Sequence, residues 1–295
     1  MDQIENLVNE VVKKKPAKVM LQLPAGLKMK TVQIVEELKK KGIETIVANN
    51  PCYGACDLAD SEAKQMGCDL LVHVGHNKFY VDFPTEIPVL YFPWFIDFSF
   101  NGIDFSAIKE KRICLLTTIQ HTTLLNDVKQ KMEQQGFEAV IGGQVLGCWT
   151  VNAEKLDVDA FLYIGSGKFH PLAVKSRKIY SLDVEKMQIE EIDTMAVEKR
   201  RYANIYNAKD AKTFAILVTA KKGQHQLLGI AEEIKTKLEG KGKSAFVVVM
   251  NEINDSAMLG IKADAFVNTA CPRIAEDSFS KPIINASDLN EVLRN

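Results

Sequence analysis

One order of apolar runs occurs three times along this chain of 295 residues, and that recurrence restricts the fold more than any other feature. In the first copy VMLQL (19–23) reads as a strand and TVQIVEELKKKG (31–42) as an amphipathic helix with a glycine just past its end. ETIVAN (44–49), DLLVHVG (69–75) and IPVLYF (87–92) read as three further strands. The second copy runs RICLLTT (112–118), a helix through NDVKQKMEQQG (126–136), EAVIGG (138–143), DAFLYIGSG (159–167) and KIYSLD (178–183). The third runs TFAILVTA (213–220), a helix through LLGIAEEIKTKLEGKG (227–242), SAFVVVM (244–250), DAFVNTA (264–270) and PIINAS (282–287). Near-continuous Val/Ile/Leu runs suit strands covered on both faces, and strands alternating with helices imply parallel sheets.

The expected fold class is therefore α/β, with three tandem Rossmann-like parallel-sheet domains in a pseudo-threefold arrangement. Their expected limits are 1–105, 106–207 and 208–295, with junctions in the polar segments FNGIDFSAIKEK and RRYANIYNAKDAK. The 37 basic and 38 acidic residues leave a net charge of −1, which argues against direct nucleic-acid binding. No run approaches the ~18 apolar residues of a membrane span, and MDQIENLVNEVVKKKP lacks the apolar core of a signal peptide. A cytoplasmic protein with no membrane partner is expected, and its six cysteines read as thiols, ligands or catalysts rather than disulfides.

The repeat gives the cysteines positions. Asp69, Asp159 and Asp264 open the third strand of each copy, which makes His76, Ser166 and Cys271 equivalent. Cys56 and Cys148 follow the second strands of copies one and two, with Gly54 and Gly147 beside them to turn the chain. All three cysteines fall just beyond the carboxyl ends of parallel strands, where open α/β sheets place ligands. Cys114, inside RICLLTT, and Cys68, approaching a strand, read instead as small core residues.

Cys52 and Cys56 form a CxxxC pair in PCYGACDLAD. The radical S-adenosylmethionine motif CxxxCxxC would need a third cysteine where Ala59 stands, and no CxxC or zinc-finger spacing occurs. Cys56, behind the Gly54 turn, is the preferred ligand, and Cys52 is the alternative. One thiolate from each copy, converging, suits a 4Fe–4S cluster better than zinc, because three thiolates leave one iron open for substrate.

LQLPAGLK (21–28), YGACDLAD (53–60), LLVHVGHNKF (70–79), TTIQHT (117–122), YIGSGKFHPLAV (163–174), LVTAKKGQ (217–224) and VNTACPRIAEDS (267–278) resemble the archaeal diphthamide synthases, the 2-(3-amino-3-carboxypropyl)histidine synthases. The resemblance spans roughly residues 17 to 287. It implies an atypical radical S-adenosylmethionine transferase whose three cysteines, here Cys56, Cys148 and Cys271, hold the 4Fe–4S cluster. It implies further that the sulfur–Cγ bond of S-adenosylmethionine is cut, releasing methylthioadenosine and a 3-amino-3-carboxypropyl radical. That radical adds to C2 of a histidine in translation elongation factor 2, the first step of diphthamide synthesis. An external electron donor and a homodimer belong to the same expectation.

The polar residues of these motifs are the candidate contacts for S-adenosylmethionine. Gln22, Gln120 and Gln224 hold related places near the first strand of each copy, and His76, His121 and His170 stand at or beside strand ends. Ser166 belongs to the GSG turn, and Arg273, with Lys168 and Lys221, can meet a carboxylate. Neither LPAGL nor GSG matches GxGxxG or the P-loop pattern. Two competing classes remain. Quinolinate synthase and the iron–sulfur reductase that ends the isoprenoid pathway share the three-cysteine layout, and a non-enzymatic Rossmann-like binding protein would need only buried thiols.

Overall fold

The computed structural model describes residues 2–100, 102–174 and 177–294. Among the described residues three sheets occur, and each begins with the same strand order. The first copy comprises α1 (Gln3–Lys14), β1 (Lys18–Gln22), α2 (Thr31–Lys40), β2 (Glu44–Ala48), α3 (Asp60–Gln65), β3 (Leu70–Val74) and β4 (Val89–Phe92). Its strands pair in parallel in the order β2-β1-β3-β4. Helix α1 forms because Ile4, Leu7, Val8 and Val11 make one buried stripe at helical spacing. Asp2 caps it by accepting from the Ile4 amide at 3.0 Å, and Lys13 and Lys14 sit at the negative end of its dipole.

The second copy comprises β5 (Arg112–Thr117), α4 (Leu125–Gln134), β6 (Glu138–Gln144), α5 (Val151–Glu154), β7 (Ala160–Gly165), α6 (Phe169–Leu172) and β8 (Lys178–Asp183). A further strand, β9 (Gln188–Glu191), pairs antiparallel with β8, giving the order β6-β5-β7-β8-β9. The sequence pattern does not announce this hairpin. Its turn is made by the Asp183 carboxylate, which accepts from the amides of Glu185 and Lys186, and by the left-handed Met187.

The third copy comprises α7 (Met195–Lys209), β10 (Thr213–Val218), α8 (Leu228–Glu239), β11 (Ser244–Val249), α9 (Asp255–Met258), β12 (Ala265–Asn268), β13 (Ile283–Asn285) and α10 (Leu289–Val292), with order β11-β10-β12-β13. Residue 207, the expected junction, lies inside α7. Ile205 and Ala208 of that helix are buried in the same core as Phe214, Val267 and Leu289.

Alternation along the strands builds a core on each face of each sheet. Val19 and Leu21 pack on one side of the first sheet with Val72 and Leu7, whereas Met20 and Leu71 pack on the other with Cys68. Cys114 sits likewise between Leu116 and Phe161 on one face of the second sheet, so both Cys68 and Cys114 are packing residues. The aspartates that align the three copies share one task. The Asp69 carboxylate accepts from the amides of Ala17 and Lys18, Asp159 from that of Arg112, and Asp264 from those of Lys212 and Thr213. In every sheet the third strand thus tethers the start of the first.

The chain divides into two compact units. One contains residues 1–97, 119–123 and 221–223, and the other contains 98–118, 124–220 and 224–295. In each sheet the order reverses between the first and third strands, and the crevice beyond their carboxyl ends is the expected place for a ligand.

Candidate functional site

In the first unit the YGACDLAD loop after β2 turns at Gly54, whose carbonyl accepts from the Asp57 amide at 3.0 Å. The 221–223 segment lies against this loop. The Gly223 amide donates to the Cys56 carbonyl at 3.2 Å, and a Cβ at Gly223 would overlap the Cys56 backbone. Lys221 pairs with Asp57 at 2.9 Å and lies over the Tyr53 ring. Lys222 pairs with the fully buried Asp60 at 2.8 Å and with Glu86 at 3.4 Å. Two ammonium groups therefore hold the Cys56 loop from the far end of the sequence. Cys56 itself is half-buried, while Cys52 is buried and its thiol is pushed up to about 12, first by desolvation and then by the charge of Asp57.

Parallel register sets Gln22 of β1 beside His73 of β3. The Gln22 amide is consumed inside the protein. Its Oε1 accepts from His73 Nδ1 at 2.8 Å and from the Ala59 amide at 3.3 Å, and its Nε2 donates to the Asp57 carbonyl at 2.8 Å. His73 Nε2 then meets His76 Nδ1 at 3.1 Å. Burial holds both rings neutral, His73 lowered to about 3 by desolvation and then by its neighbouring imidazole, and His76 lowered to about 4 by desolvation. Gln120 donates from Nε2 to the Gly75 carbonyl at 2.8 Å. The buried His121 donates from Nδ1 to the Ile96 carbonyl at 2.9 Å, and desolvation lowers its pKa.

In the second unit Leu146 and Trp149 exchange backbone hydrogen bonds of 2.9 and 3.0 Å, so that Gly147 and Cys148 form the tip of a tight turn with Cys148 exposed. The ring of Phe169 occupies the space a Cβ at Gly147 would need. The guanidinium of Arg273 lies 5.2 Å over the same ring. Cys271, two residues before Arg273, caps the 3-10 turn Pro272–Glu276, and its carbonyl accepts from Ile274 and from the Asn268 side chain at 2.9 Å. The loops of Cys148 and Cys271 thus share one aromatic ring. Ser166 is exposed at the GSG turn, half-buried His170 stacks on Tyr163 at 6.4 Å, and half-buried Gln224 lies in the 3-10 turn Lys222–Leu227. Lys168 stands 3.8 Å from Glu190 at the surface.

Several contributors escape a sequence reading. Asn268, at the last position of β12, holds the Cys271 loop and also donates to Asn285 at 2.8 Å. Asp57, Asp60 and Lys222 act as ion-pair partners, and Phe169 as a shared platform. His73 carries the one signal that sequence offers, a polar residue inside the apolar strand LLVHV, which must find a buried partner.

The described thiols divide by accessibility. Cys56, Cys148 and Cys271 are half-buried or exposed, whereas Cys52, Cys68 and Cys114 are buried. Each of these three reachable thiols lies in a strand-end loop of a different sheet. No helix among the described residues is long and apolar enough to cross a membrane.

Residues 23–295 match the family model described as "Putative diphthamide synthesis protein". The chain is 35% identical over 300 residues to the 2-(3-amino-3-carboxypropyl)histidine synthase of Pyrococcus horikoshii, covering 94% of this chain and 85% of that one. It is 30% identical to the enzyme's subunit 1 from Caenorhabditis elegans, covering 94% and 76%. The crystal structure of Dph2 from Pyrococcus horikoshii with a 4Fe–4S cluster superposes with a TM-score of 0.89 at 34% identity, over 98% of this chain and 90% of that one. With sequence likeness spanning all three sheets and the same fold in a solved relative, this chain belongs to the diphthamide synthesis protein family.

Proposed function

We propose that the protein catalyses the first step of diphthamide synthesis, transferring the 3-amino-3-carboxypropyl group of S-adenosylmethionine to C2 of a histidine imidazole in translation elongation factor 2. The observation that carries the reading is the partition of the thiols: Cys56, Cys148 and Cys271 are reachable from strand-end loops, and the other three are packed away. Cys56, Cys148 and Cys271 are the proposed ligands of a 4Fe–4S cluster. When bound, such a cluster supplies one electron to S-adenosylmethionine, so that methylthioadenosine departs and the aminocarboxypropyl group becomes the attacking radical.

The protein's own groups prepare that event. Arg273, fixed over Phe169, offers a planar donor fork to the carboxylate of the methionine portion. Ser166, His170 and Gln224 in the second unit, and His76, Gln120 and His121 in the first, are the other proposed contacts. Gln22 acts behind them, because its amide is spent on orienting His73 and the Cys56 loop. Lys221 and Lys222 fix that loop through Asp57 and Asp60, so the thiol at residue 56 is presented from a braced turn. A homodimer, an external electron donor and a cytoplasmic location complete the proposal. The family's eukaryotic members named as subunit 1 suit a protein-modifying assembly.

The test is an anaerobic assay with reconstituted enzyme, dithionite, labelled S-adenosylmethionine and elongation factor 2 with or without its target histidine. Label transfer to the intact substrate alone, with methylthioadenosine released, is expected, and Cys56→Ser, Cys148→Ser and Cys271→Ser should each abolish it. Release of 5′-deoxyadenosine as the main product, or full activity in any of the three variants, would overturn the assignment.

A further inference from the structure

Among the described residues, one group of metal-ligating side chains has its donor atoms gathered in one place: Cys52, His73 and His76, within 4.8 Å of one another. All three belong to the first unit, and the catalytic reading does not use them together. Cys52 and His73 are buried, and His76 is half-buried. We propose that they form a mononuclear site for a borderline-soft divalent cation such as Zn²⁺, with a fourth position left to water.

Two imidazoles and a thiol are the mixed nitrogen–sulfur set that zinc and its neighbours prefer over the hard cations, which take oxygen.

Metal–nitrogen and metal–sulfur bonds of about 2.0 and 2.3 Å at a tetrahedral centre separate neighbouring donors by about 3.3–3.8 Å. His73 Nε2 and His76 Nδ1 stand 3.1 Å apart, so the imidazole edge of the tetrahedron is already close to its final length. With all three donor atoms within 4.8 Å of one another, a movement of at most about 1 Å by the Cys52 side chain closes the remainder.

Gln22 Oε1 also accepts from the Ala59 amide, and Gln22 Nε2 is held by the Asp57 carbonyl, so the amide cannot turn over. Its oxygen therefore accepts from His73 Nδ1–H, which leaves the Nε2 lone pair directed at the site. Metal-bound imidazoles characteristically donate their other N–H to such a partner. Without metal, His76 Nδ1–H donates to that lone pair. With metal, His76 moves its proton to Nε2, the Cys52 thiol gives its proton to solvent, and each offers a lone pair.

Three protein ligands and a vacant position are the pattern of a zinc site that binds something further, rather than a closed structural site. His76 is the partly exposed ligand of the three, and the other two are covered. The site does not require that Cys56, Cys148 and Cys271 hold a cluster.

The test uses the full chain, purified without cluster reconstitution, stripped with chelator and titrated with Co²⁺ while visible absorption is recorded. One equivalent per chain should bind with a thiolate-to-cobalt charge-transfer band, be displaced by Zn²⁺, and persist when Cys56, Cys148 and Cys271 are all changed to Ala. Cys52→Ala should remove the band and the tight binding. Should that variant fold poorly, Cys52→Asp should bind Co²⁺ without the band. Gln22→Met should weaken binding about 10–100-fold while Gln22→Glu, which keeps an acceptor for His73, restores it. The proposal fails if wild type takes up no Co²⁺, if the band survives in Cys52→Ala or Cys52→Asp, or if it disappears with the Cys56/Cys148/Cys271 set.

Discussion

The guanidinium of Arg273 lies 5.2 Å over the ring of Phe169, and the same ring fills the space that a side chain at Gly147 would require. One aromatic group thus ties the residue before Cys148 to the residue two beyond Cys271. The contact makes loop placement testable without touching a cysteine.

Gly147→Ala should force the Phe169 ring out of its place, at a cost of about 1–3 kcal/mol. Urea unfolding of the full chain measures that cost. Phe169→Leu, which removes the far edge of the ring, should tolerate Gly147→Ala with most of the loss recovered. Phe169→Leu alone should weaken S-adenosylmethionine binding about threefold, as loss of an exposed cation–π contact predicts. Additive effects of the two changes would show that the ring and residue 147 do not compete for space.

The Lys221–Asp57 pair is only 12% and 13% exposed, so breaking it inside the protein is costly. Lys221→Met should destabilise the chain by up to about 3–5 kcal/mol and loosen the Cys56 loop. The double variant Lys221→Met with Asp57→Leu should recover most of that loss, because both buried charges leave together. A double-mutant cycle with chemical denaturation reads the coupling directly.

Thiol reactivity should follow accessibility in cluster-free protein. Iodoacetamide should label Cys148 first, and Cys56 and Cys271 next, whereas Cys52 and Cys114 stay unmodified until unfolding. Burial pushes the last two thiols up to about 12, so almost no thiolate is present at neutral pH. Peptide mapping by mass spectrometry gives the order, and early labelling of Cys114 would contradict its buried place in β5 of the second sheet.

The imidazoles of the first unit set a pH dependence in chelator-treated protein. His73 and His76 have folded-state values of about 3 and about 4 against an ordinary 6.5, and desolvation lowers His121 as well. Below 6.5 the unfolded chain takes up protons that the folded chain refuses, so the stability these groups contribute is full above that value and falls as the pH drops toward their folded values. Each contributes a slope of up to about 1.4 kcal/mol per pH unit in that window. The double variant His73→Gln with His76→Gln should flatten the dependence of the urea midpoint on pH, whatever it does to the midpoint itself.

Much of the architecture was legible without coordinates. The strands from β1 to β8 and from β10 to β13 occur within a few residues of the apolar runs that announce them, and the aspartates at 69, 159 and 264 mark a real structural equivalence through their bonds to the first strands. Cys68 and Cys114 are core residues as their apolar neighbours imply. Other elements were not legible, β9 and α7 among them. The short polar strand β9 has no apolar run of its own, and α7 exposes Met195, Tyr202 and Tyr206 while burying Ile205 and Ala208, so its apolar residues form no single stripe.

Periodicity, turn residues and cysteine positions, which are local properties, determine by themselves that this chain forms three parallel α/β sheets with thiols at their strand ends. The partners of those thiol loops are a different matter. Lys221 meets Asp57 across 164 residues, Gln22 meets His73 across 51, and Phe169 receives Arg273 from another repeat. Such meetings depend on strand register and on the path of loops after packing. Only the tertiary structure decided them, because no spacing along the chain encodes which distant group a buried charge, amide or ring will find.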